Sequence, residues 1–227
     1  MNVMAKPSSE NLPSTARSDR IYAIGDIHGR YDLLLTLLDE IRDFDAGLKS
    51  SKSTHMIFLG DMIDRGPRSA AVLELLFTLS RMQKVTVLQG NHEELMLRAI
   101  DGEPGTMRAW LRLGGRATLR SFGVEPPEGV FDRATLTRAI NKAIPKELLS
   151  WLRTLPLSAR SGDYFFCHAG IRPGIDINRQ RKEDLLWIRD EFLDSDESHG
   201  AVIVHGHSIS PDVEVRHNRI GIDTGAY

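Results

Sequence analysis

Six short segments of the sequence combine Asp, Asn or His residues with glycine. They read GDIHG from Gly25, GDMIDRG from Gly60, QGNHE from Gln89, HAG from His168, HGH from His205 and DTG from Asp223. Carboxylate, imidazole and amide-oxygen ligands together suit manganese, iron or zinc rather than metals that prefer thiolates. Two such ions about 3.5–4 Å apart activate a water molecule and stabilise the attacking and leaving oxygens of a phosphoryl group. The residue types therefore indicate a two-metal centre that hydrolyses phosphoesters.

Each of these segments follows an apolar run that is predicted to be a strand. Most runs are rich in β-branched or aromatic residues, as buried strands are; they are Ile21–Ile24, Met56–Leu59, Val85–Leu88, Tyr164–Cys167, Ala201–Val204 and Ile220–Ile222. Helical periodicity appears over Asp32–Phe44 and over Ser69–Met82, where Ser69 is predicted to be the N-cap. Strands that alternate with helices predict an α/β fold. The polar segments should then meet at the carboxyl edge of the sheet, where such folds bind their ligands.

Composition places the chain among globular proteins and argues against several kinds of partner. It has 227 residues, of which 41% are hydrophobic, and a formal net charge of -2, so we expect no nucleic-acid or membrane partner. Its one cysteine excludes an internal disulfide, and the N-terminus lacks the apolar core of a secretion signal. We therefore predict a cytoplasmic protein in which the polar, Ser- and Pro-rich residues 1–19 are flexible.

The ordered motifs GDIHG, GDMIDRG, GNHE, HAG and HGH resemble the signature of a known enzyme family. It is the phosphoprotein phosphatase branch of the calcineurin-like metallophosphoesterases, above all its bacterial and phage members, and the likeness runs from about Ile21 to Tyr227. The resemblance implies a four-layer α/β (α+β) fold in which helices flank a central β-sandwich, in place of a simple doubly wound sheet. It also implies one catalytic domain over residues 20–227, and residues 94–160 are a candidate helical cap over the site.

The resemblance further implies a role for each motif residue. The ligands of two divalent ions, predicted to be manganese with iron or zinc as alternatives, would be Asp26 and His28 for the first, Asp61 for both, and Asn91, His168 and His207 for the second. His92 would be the general acid, oriented by Asp64. These roles agree with the chemistry, because His is the commonest proton donor and a carboxylate fixes its tautomer. Arg65 and Arg189 would bind the substrate phosphate, whose geometry guanidinium groups match.

Several neighbouring residues are predicted to have structural roles only. His207 alone matches the family's ligand position, so His205 is expected to support the site from behind. Glu93 is interpreted as a first-turn acid that the helix dipole favours. Cys167 is expected to be a small buried strand residue, because the arginine that follows it is one position too close for a cysteine phosphatase. Trp187 is expected to belong to the core or scaffold.

Two stretches depart from the family pattern or leave alternatives open. Gln89 stands where many members carry an arginine, so one phosphate contact is expected to be missing. Arg112, Arg116 and Arg120 either form an ordinary solvated helix face or meet an extended anionic substrate. The chain stops at Tyr227, whereas relatives usually continue with a further strand, so we expect a truncated chain or a sheet that ends early.

Three functions are compatible with the motifs. The first is a phosphomonoesterase that hydrolyses phosphoserine and phosphothreonine, and also phosphotyrosine, in proteins. The second is a hydrolase of dinucleoside polyphosphates of the diadenosine tetraphosphate type, and the third is a non-catalytic metal-binding interaction protein. The third function predicts that some metal ligands of the family have been replaced by other residues, and every one of them is present in this sequence. The first two share the metal-site motifs, so their substrates, a phosphorylated protein or a small phosphoester, are not separated by these residues. The oligomeric state is left open.

Overall fold

Strands and helices alternate in the first part of the chain. The computed structural model describes residues 12–16, 19–48, 53–82 and 84–227. The elements are β1 (Asp19–Ile24), α1 (Tyr31–Gly47), β2 (Ser53–Phe58), α2 (Ser69–Leu79), β3 (Val85–Val87) and α3 (Asn91–Ile100). The predicted strands and helices of this region are confirmed, but the prediction that Ser69 caps α2 is wrong. Ser69 is the first helical residue, and its buried hydroxyl instead accepts a hydrogen bond from the Asp64 amide at 3.0 Å.

A helical region follows α3 and coincides with the segment predicted as a cap. It contains α4 (Thr106–Trp110), a π-helical turn (Leu111–Gly115), α5 (Arg116–Ser121), α6 (Arg133–Ala143) and α7 (Lys146–Thr154). Asp132 caps α6 because its carboxylate accepts hydrogen bonds from the first backbone amides. Gly114 has a φ of 129°, which breaks the helix between α4 and α5. Whether this region governs access to a substrate remains a prediction.

The remainder of the chain contains all five strands of the second sheet. It contains β4 (Ser158–Ser161), β5 (Tyr164–Cys167), a 3₁₀ turn (Ile177–Arg179), α8 (Lys182–Trp187), α9 (Asp190–Leu193), β6 (Val202–His205), β7 (Glu214–Val215) and β8 (Arg219–Gly221). The predicted strands β5, β6 and β8 are confirmed. Strands β4 and β7 were not predicted, because β4 is short and polar and β7 has two residues.

The two sheets pack face to face and are covered by helices. Strands β1, β2 and β3 form one parallel sheet, and the other is mixed in the order β4-β5-β6-β8-β7. Side chains alternate along each strand. Ile57, Phe166 and Val204 lie in the cluster between the sheets, whereas Phe58 and Phe165 face the two helical layers. The predicted four-layer fold with a central β-sandwich is confirmed.

The prediction of a flexible segment over residues 1–19 falls largely outside the described residues. Residues 12–16 lie against the turn between β4 and β5, where the Ser14 amide donates to the Asp163 carboxylate at 3.0 Å. The Asp163 amide donates in return to the Ser14 carbonyl. In the part of the chain that the structure describes, no helix is both long enough and apolar enough to cross a membrane.

Candidate active site

The predicted site residues lie together where strands of both sheets end. Asp26 and His28 follow β1, Asp61, Asp64 and Arg65 follow β2, Asn91 and His92 begin α3 after β3, His168 follows β5, and His207 follows β6. Backbone hydrogen bonds join these loops to one another. The amides of Ile27 and His28 both donate to the Asp61 carbonyl. Within the second sheet, the Gly206 amide donates to the His168 carbonyl at 2.8 Å, and across the sandwich the His207 amide donates to the Asp26 carboxylate at 3.1 Å. The loops therefore form one connected platform.

Two groups of three side chains on this platform could each hold a metal ion. Their ligand atoms lie within 4.8 Å of one another, and the groups are His28, Asp61 and His92, and Asp61, His168 and His207. Asp61 belongs to both, since its Oδ2 lies 3.6 Å from His28 Nε2 and its Oδ1 lies 3.4 Å from His168 Nε2. This position suits a carboxylate that bridges two ions. His92, a member of the first group, is the residue predicted from the sequence to be the general acid and not a metal ligand.

Asp26 and Asn91 complete the surroundings of the two groups. Asp26 Oδ2 lies 3.9 Å from His28 Nε2, and the Asp26 carboxylate accepts a hydrogen bond from the His207 amide. Asn91 Oδ1 lies 2.7 Å from His168 Nε2 and 2.9 Å from His207 Nδ1. All six predicted metal ligands are therefore gathered in one cluster.

Backbone carbonyls orient two of the imidazoles. Nδ1 of His28 lies 2.8 Å from the Ile63 carbonyl, and Nδ1 of His168 lies 2.9 Å from the Leu59 carbonyl. A carbonyl only accepts, so Nδ1 carries the proton and donates in both rings. The Nε2 lone pairs then point into the cluster, which is the arrangement that metal-binding histidines need.

The charges of the cluster also suit a bound cation. Burial lowers the pKa of His28 to about 3 and that of His207 to about 3, so both rings are neutral. Burial together with neighbouring Asp61 raises the pKa of Asp26 well above its usual value, and burial raises that of Asp61 to about 6. Neutral imidazoles beside mutually repelling buried carboxylates form a donor set that divalent metal ions fit.

The His92 imidazole is held by a buried carboxylate. Its Nδ1 lies 2.7 Å from Asp64 Oδ2, and Asp64 in turn accepts hydrogen bonds from Trp110 Nε1 at 3.0 Å and Thr118 Oγ1 at 2.5 Å. Burial works against the charged ring, but the carboxylates of Asp61 and Asp64 outweigh it and raise the pKa of His92. A His with a raised pKa and a fixed tautomer is equipped to donate a proton from Nε2.

The cluster opens into a cavity of about 160 Å³. Its lining consists of metal-group residues, two arginines and two larger apolar side chains: Asp26, Asp61, Arg65, Asn91, His92, Leu113, Trp187, Arg189 and His207. Arg65 Nη1 lies 2.9 Å from His28 Nε2, and Arg189 Nε lies 3.1 Å from His207 Nε2. The two arginines thus reach the cavity from opposite metal groups, where they can contact the oxygens of one phosphate.

A family model agrees with this geometry. The model described as calcineurin-like phosphoesterase matches residues 19–224, from β1 to the segment after β8. The chain belongs to the calcineurin-like phosphoesterase family. The match includes every residue of the two metal groups, and divalent metals are the cofactors of this family.

The calcineurin-like relatives carry two kinds of name. A symmetrical bis(5'-nucleosyl)-tetraphosphatase of Legionella pneumophila strain Lens is 34% identical over 160 residues, which are 70% of this chain and 47% of the relative. Serine/threonine-protein phosphatase 2 of Escherichia coli strain K12 is 29% identical over 219 residues, which are 91% of this chain and 87% of the relative. The chain thus spans about half the length of the tetraphosphatases it matches.

The solved structures that resemble this phosphoesterase support the fold. A protein provisionally described as a diadenosine tetraphosphatase superposes with a TM-score of 0.61 at 20% identity, covering 93% of this chain and 86% of that one. A cold-active protein tyrosine phosphatase superposes with a TM-score of 0.56 at 19% identity, covering 93% of this chain and 73% of that one. At this level of identity the likeness concerns the fold alone.

Glu93 has a larger role in this phosphoesterase than sequence reasoning assigned to it. It does stand in the first turn of α3, but its buried carboxylate accepts four backbone hydrogen bonds. The donors are the amides of Asp61, Met62, Ile63 and Gly90, at 2.8–3.2 Å. Glu93 therefore joins the loop after β2 to the start of α3, and so positions the residues of both metal groups. The position of Glu93 in the GNHE motif was the feature of the sequence that could have indicated this role.

Trp187 and Asp223 also differ from their sequence interpretation. Trp187 is 36% exposed and lines the metal cavity, so of its two predicted roles, core or scaffold, the core role is wrong. Asp223 was noted after the last strand but given no role. It is buried beside Asp26, and burial raises the pKa of Asp223. A further acid at the cluster increases the negative charge that a cation would offset.

The remaining neighbours mostly agree with their predicted structural roles. Cys167 is buried, and burial raises the pKa of its thiol far above the usual value. His205 lies outside both metal groups, where burial lowers the pKa of its ring to about 4. The Gln89 side-chain amide donates to the Leu152 carbonyl at 3.3 Å and does not line the metal cavity. The arginine contact expected to be missing at this position is thus not replaced by Gln89.

Proposed function

We propose that the chain hydrolyses dinucleoside polyphosphates in a metal-dependent reaction that breaks a phosphoanhydride bond. The observation that carries this choice is the 34% identity to a symmetrical bis(5'-nucleosyl)-tetraphosphatase over 70% of the chain. The cavity supports it, because Trp187 at its rim offers an aromatic face on which a nucleobase can stack. We therefore place the dinucleoside polyphosphate hydrolase ahead of the protein phosphatase.

The metal ligands of this proposal are the six predicted residues, with Asp61 in the bridging position. Two divalent ions, when bound, supply an activated water and offset the negative charge of the phosphate oxygens. Manganese is the proposed metal, because carboxylate, imidazole and amide oxygen all suit it. Asp26 and His28 would hold one ion, and the other would lie beside Asn91 and its two histidine neighbours.

The other residues of the cavity would orient the substrate and move a proton. Arg65 and Arg189 would hold the oxygens of the phosphate that is attacked. His92 would give its Nε2 proton to the oxygen that leaves, while Asp64 keeps Nδ1 protonated from behind. With diadenosine tetraphosphate, symmetrical cleavage adds one water and gives two molecules of ADP.

A phosphoprotein phosphatase is the second candidate, and a specific observation favours it. The match to the Escherichia coli serine/threonine-protein phosphatase 2 covers 87% of that relative, whereas the tetraphosphatase match covers 47% of its relative. A chain of this length thus corresponds more closely to the whole phosphatase. The same ligands, arginines and acid would then act on a phosphoserine or phosphothreonine ester.

Parallel kinetics on the two substrate classes test the proposal. The metal-stripped and manganese-reloaded protein would be assayed on diadenosine tetraphosphate and on a phosphothreonine peptide, with Asp61→Asn as the control for contaminating hydrolases. We expect kcat/KM to be at least about tenfold higher on the dinucleotide, a difference of about 1.4 kcal/mol in the barrier. The opposite ratio would establish the second candidate. Inactivity on both substrates with metal bound would contradict both candidates and favour a non-catalytic metal-binding protein.

A further inference from the structure

Three arginines line a second cavity on the helical region. The cavity measures about 250 Å³ and lies among Arg108 of α4, Arg112 of the π-helical turn and Arg116 of α5. Leu111 and Phe131 form apolar walls. None of the lining residues is shared with the metal cavity, so the two are separate sites.

The positive charge of this second cavity has no carboxylate partner among the residues that line it. None of its three guanidinium groups forms an ion pair with another described residue. Among the described residues, the Arg116 side chain donates only to the Pro127 carbonyl, at 2.8 Å. Arginines elsewhere on the surface do find carboxylates, as Arg153 does with Asp101 at 2.6 Å. Arg108 and Arg112 lie four residues apart on the helical stretch before the break at Gly114, where like charges repel, and an anion bound between them would offset that repulsion.

The second cavity lies next to the active site along the chain. Leu113, which follows Arg112, lines the metal cavity, and the Gly114 carbonyl accepts a hydrogen bond from the Arg65 amide at 3.3 Å. The π-helical turn therefore forms a wall between the two cavities. Consecutive residues of this turn line its two sides, Arg112 the second cavity and Leu113 the metal cavity.

We propose that the pocket of Arg108, Arg112 and Arg116 is a second anion site that binds a multiply charged phosphate group. Guanidinium groups bind phosphate oxygens in pairs, and three of them around one cavity suit an oligophosphate better than a single phosphate. Phe131 adds a face for an attached nucleobase. The ligand is either the far end of an extended substrate or a separate phosphorylated effector. The pocket itself does not depend on which substrate the metal site cleaves.

Isothermal titration calorimetry tests binding at this pocket directly. The probe is an imidotriphosphate in which nitrogen replaces both bridging oxygens, so that it resists hydrolysis. It is added to manganese-loaded protein at a fixed free metal concentration, with saturating inorganic phosphate present to occupy the metal cavity. The test variant is Arg108→Gln/Arg112→Gln, which leaves the Arg116 contact in place. The matched control is Arg120→Gln/Arg138→Gln, which removes the same number of charges, because both arginines are exposed and neither lines the pocket.

We expect the double variant to weaken imidotriphosphate binding about tenfold and the control to change it less than twofold. Hydrolysis of p-nitrophenyl phosphate should be unchanged in both variants, which reports an intact metal centre. Wild-type affinity in the double variant would overturn the proposal. Equal weakening in the control would overturn it too, since the effect would then follow net charge rather than the pocket.

Kinetics identify which ligand the pocket takes. If it holds the far end of a substrate, the double variant raises KM for diadenosine tetraphosphate about tenfold and leaves p-nitrophenyl phosphate turnover unchanged. If it holds a separate effector, calorimetry shows the loss while both rates stay unchanged. Failure of the wild-type protein to cleave the dinucleotide would overturn the proposed function alone, because calorimetry still decides on the pocket.

Discussion

Replacing Asp64 by Asn removes the charge behind the proposed general acid and leaves its shape. Asp64 is fully buried, and its carboxylate lies 2.7 Å from His92 Nδ1. An Asn side chain turns either its oxygen or its amide group toward the ring, and neither carries a charge that stabilises imidazolium. The fraction of His92 that is protonated should fall, and the Nδ1 tautomer should be less firmly fixed.

The size of the loss follows from the bond that is weakened. A hydrogen bond to a charged group contributes about 1.5–3 kcal/mol. If the whole of it is used when the leaving oxygen takes the proton, kcat/KM falls by about 10- to 150-fold. A substrate whose leaving group needs no proton should lose much less. The predicted signature is therefore a rate loss that depends on the leaving group.

The assay compares a phosphothreonine peptide with p-nitrophenyl phosphate in the wild type and in Asp64→Asn, with metal content measured in each. Thr118→Val and Thr118→Ser are a matched pair, because only the first removes the hydroxyl that donates to Asp64. Thr118→Val should show the same pattern more weakly, and Thr118→Ser should resemble the wild type. Equal losses on both substrates at full metal content would refute the role of Asp64 in proton donation.

Three further predictions concern the acid, the loop anchor and the metals. His92→Ala should retain metal and lose far more activity on the peptide than on the aryl ester; a uniform loss in parallel kinetics would contradict the acid role. Glu93→Gln can turn an amide group toward two backbone donors that share one carboxylate oxygen, so it should lower the free energy of unfolding by about 3 kcal/mol in urea denaturation. An unchanged urea midpoint would show that the Glu93 carboxylate does not stabilise the fold. Chelation should lower the Tm, since saturation at about 100 times Kd stabilises by about 2.7 kcal/mol; an unaltered Tm would exclude tight metal binding in the native state.

The layers of the fold were predictable because they follow from local patterns. Apolar runs of three or four residues, each followed by a segment of glycine and polar residues, predicted six of the strands, and the resemblance supplied the sandwich. The polar strand Ser158–Ser161 escaped notice because it pairs along one edge of the sheet, where burial of both faces is not required. Short edge strands carry little pattern of their own.

The metal ligands could be predicted from the sequence, but the residues that hold Asp64 in place could not. Asp26 and His28 belong to a continuous motif, whereas Trp110 and Thr118 reach Asp64 across 46 and 54 residues. Tertiary packing alone brings those residues to the site. A weak signal was present, since Gly115 interrupts a helical pattern. A Cβ at Gly115 would lie 2.5 Å from the Trp110 ring, so the glycine is what lets the indole reach Asp64.

The backbone of the site explains why its supports must be extensive. Five site residues have φ between 45° and 74°, in the left-handed region that residues with a Cβ rarely adopt: His28, Asp61, Asp64, Arg65 and His207. Each such residue costs about 1–3 kcal/mol, which the surrounding structure has to offset. Three of the four hydrogen bonds to Glu93 come from the strained loop after β2, and the Ser69 and Thr118 hydroxyls both accept from the Asp64 amide. The hydrogen bonds that stabilise this strained backbone also keep the Asp61 and Asp64 side chains in place. Loss of the Glu93 carboxylate should therefore relax the loop after β2 and lower both the metal affinity and the free energy of unfolding.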